Sequence, residues 1–275
     1  VPFDSTGKIS FDHIYTAPDP RPFFGTLRRV GYAIPQLAKP YFAKLIGEHP
    51  AESPTVLDVG CSYGVNAALR RCDATMDDLY AHYTAPDVLA LNHAGLIEAD
   101  RAMISGPGGA KFFGLDAAAP ALEYALSAGF LDEAIHADFE SDDPDSTQRK
   151  LLDDVDLVIS TGCVGYVTEK TLSRIARGSR PWMAHFVLRM FSYEPVADSL
   201  AGLGYETARV PGVFRQRRFA SAEERTQILD TLDAAGVDPT GVESDGWLYA
   251  QLYVSRPEGT AAELAAALAT SEQEG

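Results

Sequence analysis

Three aspartates stand where short apolar runs give way to small or polar residues. Val56-Leu57-Asp58-Val59-Gly60 holds the first, Phe112-Phe113-Gly114-Leu115-Asp116 ends in the second, and Ala134-Ile135-His136-Ala137-Asp138 ends in the third. A carboxylate at a strand end can accept hydrogen bonds from a ligand that carries several donors, such as the paired hydroxyls of a ribose. The turn after the first run, Gly60-Cys61-Ser62-Tyr63-Gly64, has a glycine that tolerates a tight turn and lets a ligand approach the backbone. The helix expected after it would present free N–H groups at the same place. A fourth run, Val155-Asp156-Leu157-Val158-Ile159, leads into Ser160-Thr161-Gly162. If these runs are neighbouring strands, their polar ends converge on one edge of a sheet.

The surrounding pattern supplies the elements to hold them there. Strand-length runs fall at 55–59, 111–116, 133–138, 155–160, 182–190, 207–214 and 247–255, with helical periods at 65–71, 120–127, 169–176, 195–203 and 222–235 between most of them. Such alternation predicts βαβ units. The fold class read from it is α/β, a doubly wound, mostly parallel seven-stranded sheet with helices on both faces and an antiparallel edge among the last strands. Residues 1–50 read as an N-terminal helical extension or lid, and 51–275 as the main domain. Pro18, Pro20, Pro22, Pro35, Pro40 and Pro50 leave room only for short helices in the extension, with 41–46 favoured. Its aromatics, Phe11, Tyr15, Phe23, Phe24, Tyr32, Tyr41 and Phe42, imply that it packs on the rest. Residues 73–110 interrupt the rhythm and read as an inserted helical hairpin. Thr75 and Asp78 form a capping box there, and Met76, Leu79, Tyr80 and Tyr83 share one helix face. Residues 141–150 read as a polar loop.

With its motifs in this order, 55–190 resembles a class I S-adenosylmethionine-dependent methyltransferase. The resemblance implies that Gly60, Ser62 and Gly64 lie near the methionine part of the cofactor, with Asp58 by its ammonium group. It places Asp116 and Ala117 at the ribose, Asp138 and Phe139 at the adenine, and Ser160 and Thr161 on the floor near the transferred methyl. S-adenosyl-L-methionine would be the cofactor and S-adenosyl-L-homocysteine the product. Ser62 stands where the family often has glycine. The 58 residues from Asp58 to Asp116 exceed the usual spacing of about 20, an excess the inserted hairpin explains. A G-x-G-x-x-G dehydrogenase turn and a G-x-x-x-x-G-K-[ST] phosphate loop are both missing. So is the Asn/Asp-Pro-Pro-aromatic tetrad that in related enzymes accompanies transfer to a base or a glutamine.

A hydroxyl or amine acceptor would need its proton removed by a side chain within hydrogen-bond reach. Tyr166, beyond the fourth strand, and His13, in the extension, are the candidate catalytic residues. Tyr15 and Arg189 are candidates for binding the substrate. His136 and His185 fall within strands, where a structural histidine is favoured. Arg215, Arg217 and Arg218 read as a solvated edge strand, with 215 and 217 on one face and 218 on the other.

The net charge is −16, from 23 basic and 39 acidic residues. It opposes a nucleic-acid partner, which would call for a basic footprint. Cys61, Cys72 and Cys163 form no C-x-x-C pair, and the histidines show no metal-ligand spacing, so neither a disulfide framework nor a metal centre is expected. No apolar run reaches the roughly 20 residues of a membrane helix. The reading is a cytoplasmic methyltransferase of a small, biosynthetic acceptor, without a membrane or nucleic-acid partner and with homodimerisation possible. The alternatives are methylation of a protein or RNA, a different reaction such as cyclisation on the same fold, and a non-catalytic cofactor-binding module.

Overall fold

Thr55–Val59 is buried along its whole length, as a strand covered by helices on both sheet faces must be. The computed structural model describes residues 3–4, 6–9 and 12–269; Phe11 lies outside them. In chain order the elements are α1 (Asp12–Tyr15), α2 (Arg21–Leu27), α3 (Ile34–Glu48), β1 (Thr55–Val59), α4 (Val65–Arg71), α5 (Met76–Thr84), α6 (Pro86–Leu89), α7 (His93–Met103), β2 (Lys111–Asp116), α8 (Ala119–Ser127), β3 (Glu133–His136), α9 (Ser146–Asp153), β4 (Leu157–Thr161), α10 (Glu169–Ala176), β5 (Trp182–Leu188), α11 (Glu194–Ala201), β6 (Glu206–Arg209), β7 (Phe214–Arg218), α12 (Ala222–Ala234), β8 (Trp247–Arg256) and α13 (Ala261–Ala269).

The sheet runs β3-β2-β1-β4-β5-β8-β6, with β7 also on β8. The first five strands are parallel, and β6, β7 and β8 pair antiparallel. Strand order reverses direction between β1 and β4, so a crevice opens outside their carboxyl ends, the place where such sheets bind ligands.

The expected seventh position holds two strands, which makes eight. Arg209 faces Tyr253 and Phe214 faces Ala250, so five steps on one side meet three on β8. Pro211, which has no N–H, and Gly212, at φ 105°, occupy the break. A second irregularity falls between Arg215 and Arg217. It overturns the expected faces: Arg215 and Arg218 are exposed over the Trp247 ring, while Arg217 turns inward beside Gln216.

Three expectations about helices are corrected as well. The extension has one long helix, α3, despite Pro35 and Pro40. Pro35 sits in the first turn, where its missing N–H costs nothing, and Pro40 lies on the exposed side. The opposite side buries Ile34, Ala38, Tyr41, Phe42 and Leu45, enough apolar surface to outweigh the roughly 3 kcal/mol of an internal proline. The polar loop at 141–150 gives way to α9, started by a capping box between Asp145 and Gln148. The inserted hairpin is three segments, α5, α6 and α7. Thr75 and Asp78 do form the box that starts α5.

The insertion and extension share one core. Ile14, Phe23, Phe24 and Leu27 pack with Leu79, Tyr80, Tyr83 and Leu96, and Phe24 stacks on Tyr83 at 4.4 Å. Beneath them, the Asp100 carboxylate accepts hydrogen bonds from the hydroxyls of Tyr83 (2.7 Å) and Tyr124 (2.6 Å) and contacts His82 Nε2 at 2.7 Å. That buried hub ties α5 and α7 to α8.

Candidate functional site

A cavity of about 710 Å³ opens over the carboxyl ends of β1, β2 and β4, within the ~300–1,000 Å³ usual for small-ligand sites. Its floor is the turn after β1. Gly60 adopts φ 69°, and a Cβ there would lie 2.7 Å from Cys163 Cβ, so only glycine fits. Ser62 also has positive φ, at 50°, a conformation uncommon for a residue with a side chain and one that clusters at functional sites. Asp116 pins it. One carboxylate oxygen accepts from Ser62 N at 2.8 Å, and the other accepts from Ala118 N at 2.9 Å. Each oxygen keeps a lone pair for a further donor.

Asp58 stands one layer down. It is 1% exposed and does not line the cavity; instead its two oxygens accept from Asn66 Nδ2 at 3.2 and 3.0 Å. Burial, aided by the nearby Asp116 charge and opposed by the Asn66 bond, pushes its pKa up to about 7. Asn66 does line the cavity. Its Nδ2 also reaches Thr161 Oγ1 at 3.2 Å, and its Oδ1 is buried with no partner among the described residues. Ser62 Oγ and Gln216 Oε1, both on cavity-lining residues, are orphaned likewise. Buried polar atoms without partners are uncommon in folded proteins, and beside a cavity they are available to a ligand or water.

Among the other expected site residues, Gly60, Ser62, Asp116, Ala117, Asp138, Phe139, Thr161, Tyr15 and Tyr166 line the cavity. Asp138 accepts from Glu140 N and Ser141 Oγ, each at 3.0 Å, which fixes its carboxylate in the loop beyond β3. Gly64 instead caps α4 and packs against Ala125 and Phe130. Ser160 is buried beneath the floor, 2.8 Å from His185 Nδ1. His185 is held neutral by burial, its pKa lowered to about 3.

Two candidates fall elsewhere. His13 is exposed on α1 and is not part of the cavity wall. Arg189 is committed outside the cavity, to Glu243 Oε2 at 2.5 Å and the Asp238 carbonyl at 2.8 Å.

The far wall was not foreseen. The N-terminal stretch folds back through an antiparallel bridge between Phe3 and Ile9, bringing Asp4, Lys8 and Ile9 onto the cavity. Tyr166 donates to Asp4 Oδ2, and Ile9 N donates to Glu224 Oε1 at 2.9 Å. Glu224, fully buried, also takes a bidentate pair from Arg217 at 2.6 and 2.9 Å. These bonds, together with the Arg217 charge, hold its carboxyl below the ordinary glutamate range against the opposing effect of burial. Only two signals were available in sequence for Arg217: the basic cluster itself, and Pro211-Gly212 as a strand break.

Among the described residues no cluster of His, Cys, Asp and Glu could hold a metal ion, and no helix is long and apolar enough to cross a membrane. No family model matches the chain, and no curated protein matches it. Solved structures similar to it include a TehB-like S-adenosylmethionine-dependent methyltransferase of Corynebacterium glutamicum, at 15% identity and TM-score 0.39 over 78% of this chain and 86% of that one. A phosphoethanolamine N-methyltransferase of Haemonchus contortus, in complex with S-adenosylhomocysteine, matches at 12% and 0.40 over 79% of this chain. Only 52% of that protein is covered, so this chain spans about half its length. A precorrin-6y C5,15-methyltransferase of Geobacter metallireducens matches at 10% and 0.40 over 79% and 87%. The strand order and the strand-end cavity of this chain are themselves those of a doubly wound α/β fold with its ligand crevice at the topological switch point.

Proposed function

We propose that the protein is an S-adenosylmethionine-dependent methyltransferase of a small-molecule acceptor. The observation that carries this is the pinned turn, Gly60 to Gly64 held to the end of β2 by Asp116, opening on a cavity lined by Asn66 and Gln216, whose side-chain oxygens have no partner among the described residues. That set suits a ligand rich in donors and carrying a positive charge. Asp116 would take the ribose hydroxyls, with Ala117 beside it. Asp138 and Phe139 would border the adenine. Gly60, Ser62 and Thr161 would border the methionine part. Asn66, rather than Asp58 directly, would face the ammonium, with Asp58 acting through it.

The cofactor supplies a methyl group already activated on a sulfonium. What the chain must add is alignment and exclusion of water. The extension would serve the second need: Tyr15, Phe23, Leu27 and Tyr32 wall the cavity, with the insertion packed behind them as support. Tyr166 is better suited to holding the N-terminal stretch than to taking a proton. Burial and its bond to Asp4 push its phenol well above the ordinary tyrosine pKa, and it acts as donor there. The net charge of −16 supports a small acceptor over a nucleic acid.

Calorimetry with S-adenosylmethionine and S-adenosylhomocysteine tests the cofactor. The expected result is binding by the wild type and at least a tenfold loss in Asp116→Ala; undiminished binding in that variant refutes the assignment. Incubation with labelled methyl donor and cell extracts, followed by separation by size, tests the acceptor, with label expected in the small-molecule fraction. Label in protein or RNA would favour a macromolecular substrate. Bound cofactor with no label transferred would favour other chemistry or a binding module.

A further inference from the structure

Lys8 is 8% exposed and lines the cavity, yet its ammonium has no hydrogen bond or ion pair among the described residues. It lies over the Tyr166 ring, 5.1 Å from Nζ to centroid. A desolvated ammonium costs several kcal/mol unless it finds a counter-charge, and the two carboxylates beside it are already engaged. Asp4 accepts from Thr6 N, Thr6 Oγ1, Lys8 N and Tyr166 OH. Glu224 accepts from Arg217, Ile9 N and Ala220 N. Arg217 lends a second positive charge to this wall but is itself held bidentately by Glu224. Among the described residues that line the chamber, Lys8 is thus a cation without a hydrogen-bonded or ion-paired partner. The same cavity is lined by Tyr15, Phe23 and Tyr32, whose rings meet edge to face at 5.7 and 6.3 Å and offer both ring edges and ring faces.

Resting on the methyltransferase reading, we propose that the acceptor is an aromatic carboxylate whose anionic group sits on Lys8 while its ring lies against the Tyr15-Phe23-Tyr32 wall. An ammonium without an ion-paired partner among the described residues matches a monoanion better than a phosphate dianion, which would need further donors. Gln216, whose side chain also lines the cavity, would orient a polar substituent on the ring. Burial, reinforced by the Arg217 charge and opposed by those of Asp4 and Glu224, lowers the pKa of Lys8 to about 8. An incoming carboxylate would favour the charged form further.

Benzoate is the probe, with benzyl alcohol as its uncharged counterpart, each titrated calorimetrically into the full-length protein with and without saturating S-adenosylhomocysteine. The wild type is expected to bind benzoate at least tenfold more tightly than benzyl alcohol at pH 7. Lys8→Met is expected to abolish that preference, and its thermal melt reports whether it folds. In the wild type, benzoate affinity should fall about tenfold from pH 7 to pH 9 as Lys8 loses its proton, a readout that needs no variant. Equal affinity for the two probes in the wild type, benzoate binding to a folded Lys8→Met within twofold of wild type, or a flat pH profile would overturn the proposal. Binding of S-adenosylhomocysteine without benzoate preference overturns the anchor alone. Lys8-dependent benzoate binding without S-adenosylhomocysteine binding overturns the methyltransferase reading and upholds the anchor.

Discussion

Asn66 donates to both carboxylate oxygens of Asp58 from one amide nitrogen, while its own carbonyl oxygen is buried without a partner among the described residues. The acid at the end of β1 is therefore a device for orienting an amide. Asn66→Ala removes the unpartnered acceptor and strips Asp58 of its donor. S-adenosylhomocysteine affinity should fall at least tenfold by calorimetry, while Asn66→Asp, which keeps an acceptor but sets two carboxylates together, should bind no better than the alanine variant at pH 8.

Asp58 also makes stability depend on pH. Its folded pKa of about 7 lies above the ordinary value of 3.8, so the folded state holds the proton more tightly than the unfolded state. The stabilising contribution is complete below about pH 3.8 and is lost as pH rises through 7. Asp58→Asn should melt at a higher temperature than wild type at pH 8, with the gap shrinking steadily toward pH 5. His185 acts in the opposite sense. Its folded pKa of about 3 lies below 6.5, so its contribution is present above 6.5 and drains away as pH falls toward 3. A pH series of thermal melts on wild type and Asp58→Asn checks this; a constant gap across the series contradicts it.

Gly60→Ala confronts a Cβ with Cys163 Cβ at 2.7 Å and a backbone at positive φ. Neither strain can relax without moving the floor of the cavity. The expected result is a loss of about 1–3 kcal/mol in stability together with loss of S-adenosylhomocysteine binding, read by chemical denaturation and calorimetry.

Glu224→Gln breaks a buried pair from one side. Arg217 stays buried without its counter-charge, for which about 3–5 kcal/mol of destabilisation is typical. Because Ile9 N shares that carboxylate, the N-terminal stretch should also become more susceptible to limited proteolysis. Unchanged denaturation midpoints would show that the pair contributes nothing.

What could be read in advance follows from where the determining contacts lie. The strands, the turn at Gly60 and the acids at 116 and 138 announce themselves through local patterning, because a buried parallel strand is a short apolar run and a βα turn needs small residues. The wall built from Asp4, Lys8, Gln216 and Arg217 does not. It joins residues more than 200 positions apart through an isolated bridge and an irregular strand, features without period or spacing. Tertiary context also overrode propensity at Pro40, where a buried face carried the helix through. Asp145-Ser-Thr-Gln148 shows the reverse: the cap of α9 was present in the residues, but a polar stretch hid it.

The extra residue between Arg215 and Arg217 has an effect out of proportion to its size. In an unbroken strand side chains alternate, so Arg217 would share the outward face of Arg215 and Arg218 would point inward. Deleting Gln216 would leave a regular strand with Arg217 still inward, whereas straightening the strand with all its residues kept would turn Arg217 away from Glu224. The irregularity, more than the basic composition of the segment, is thus what brings Arg217 to Glu224 and to the cavity wall.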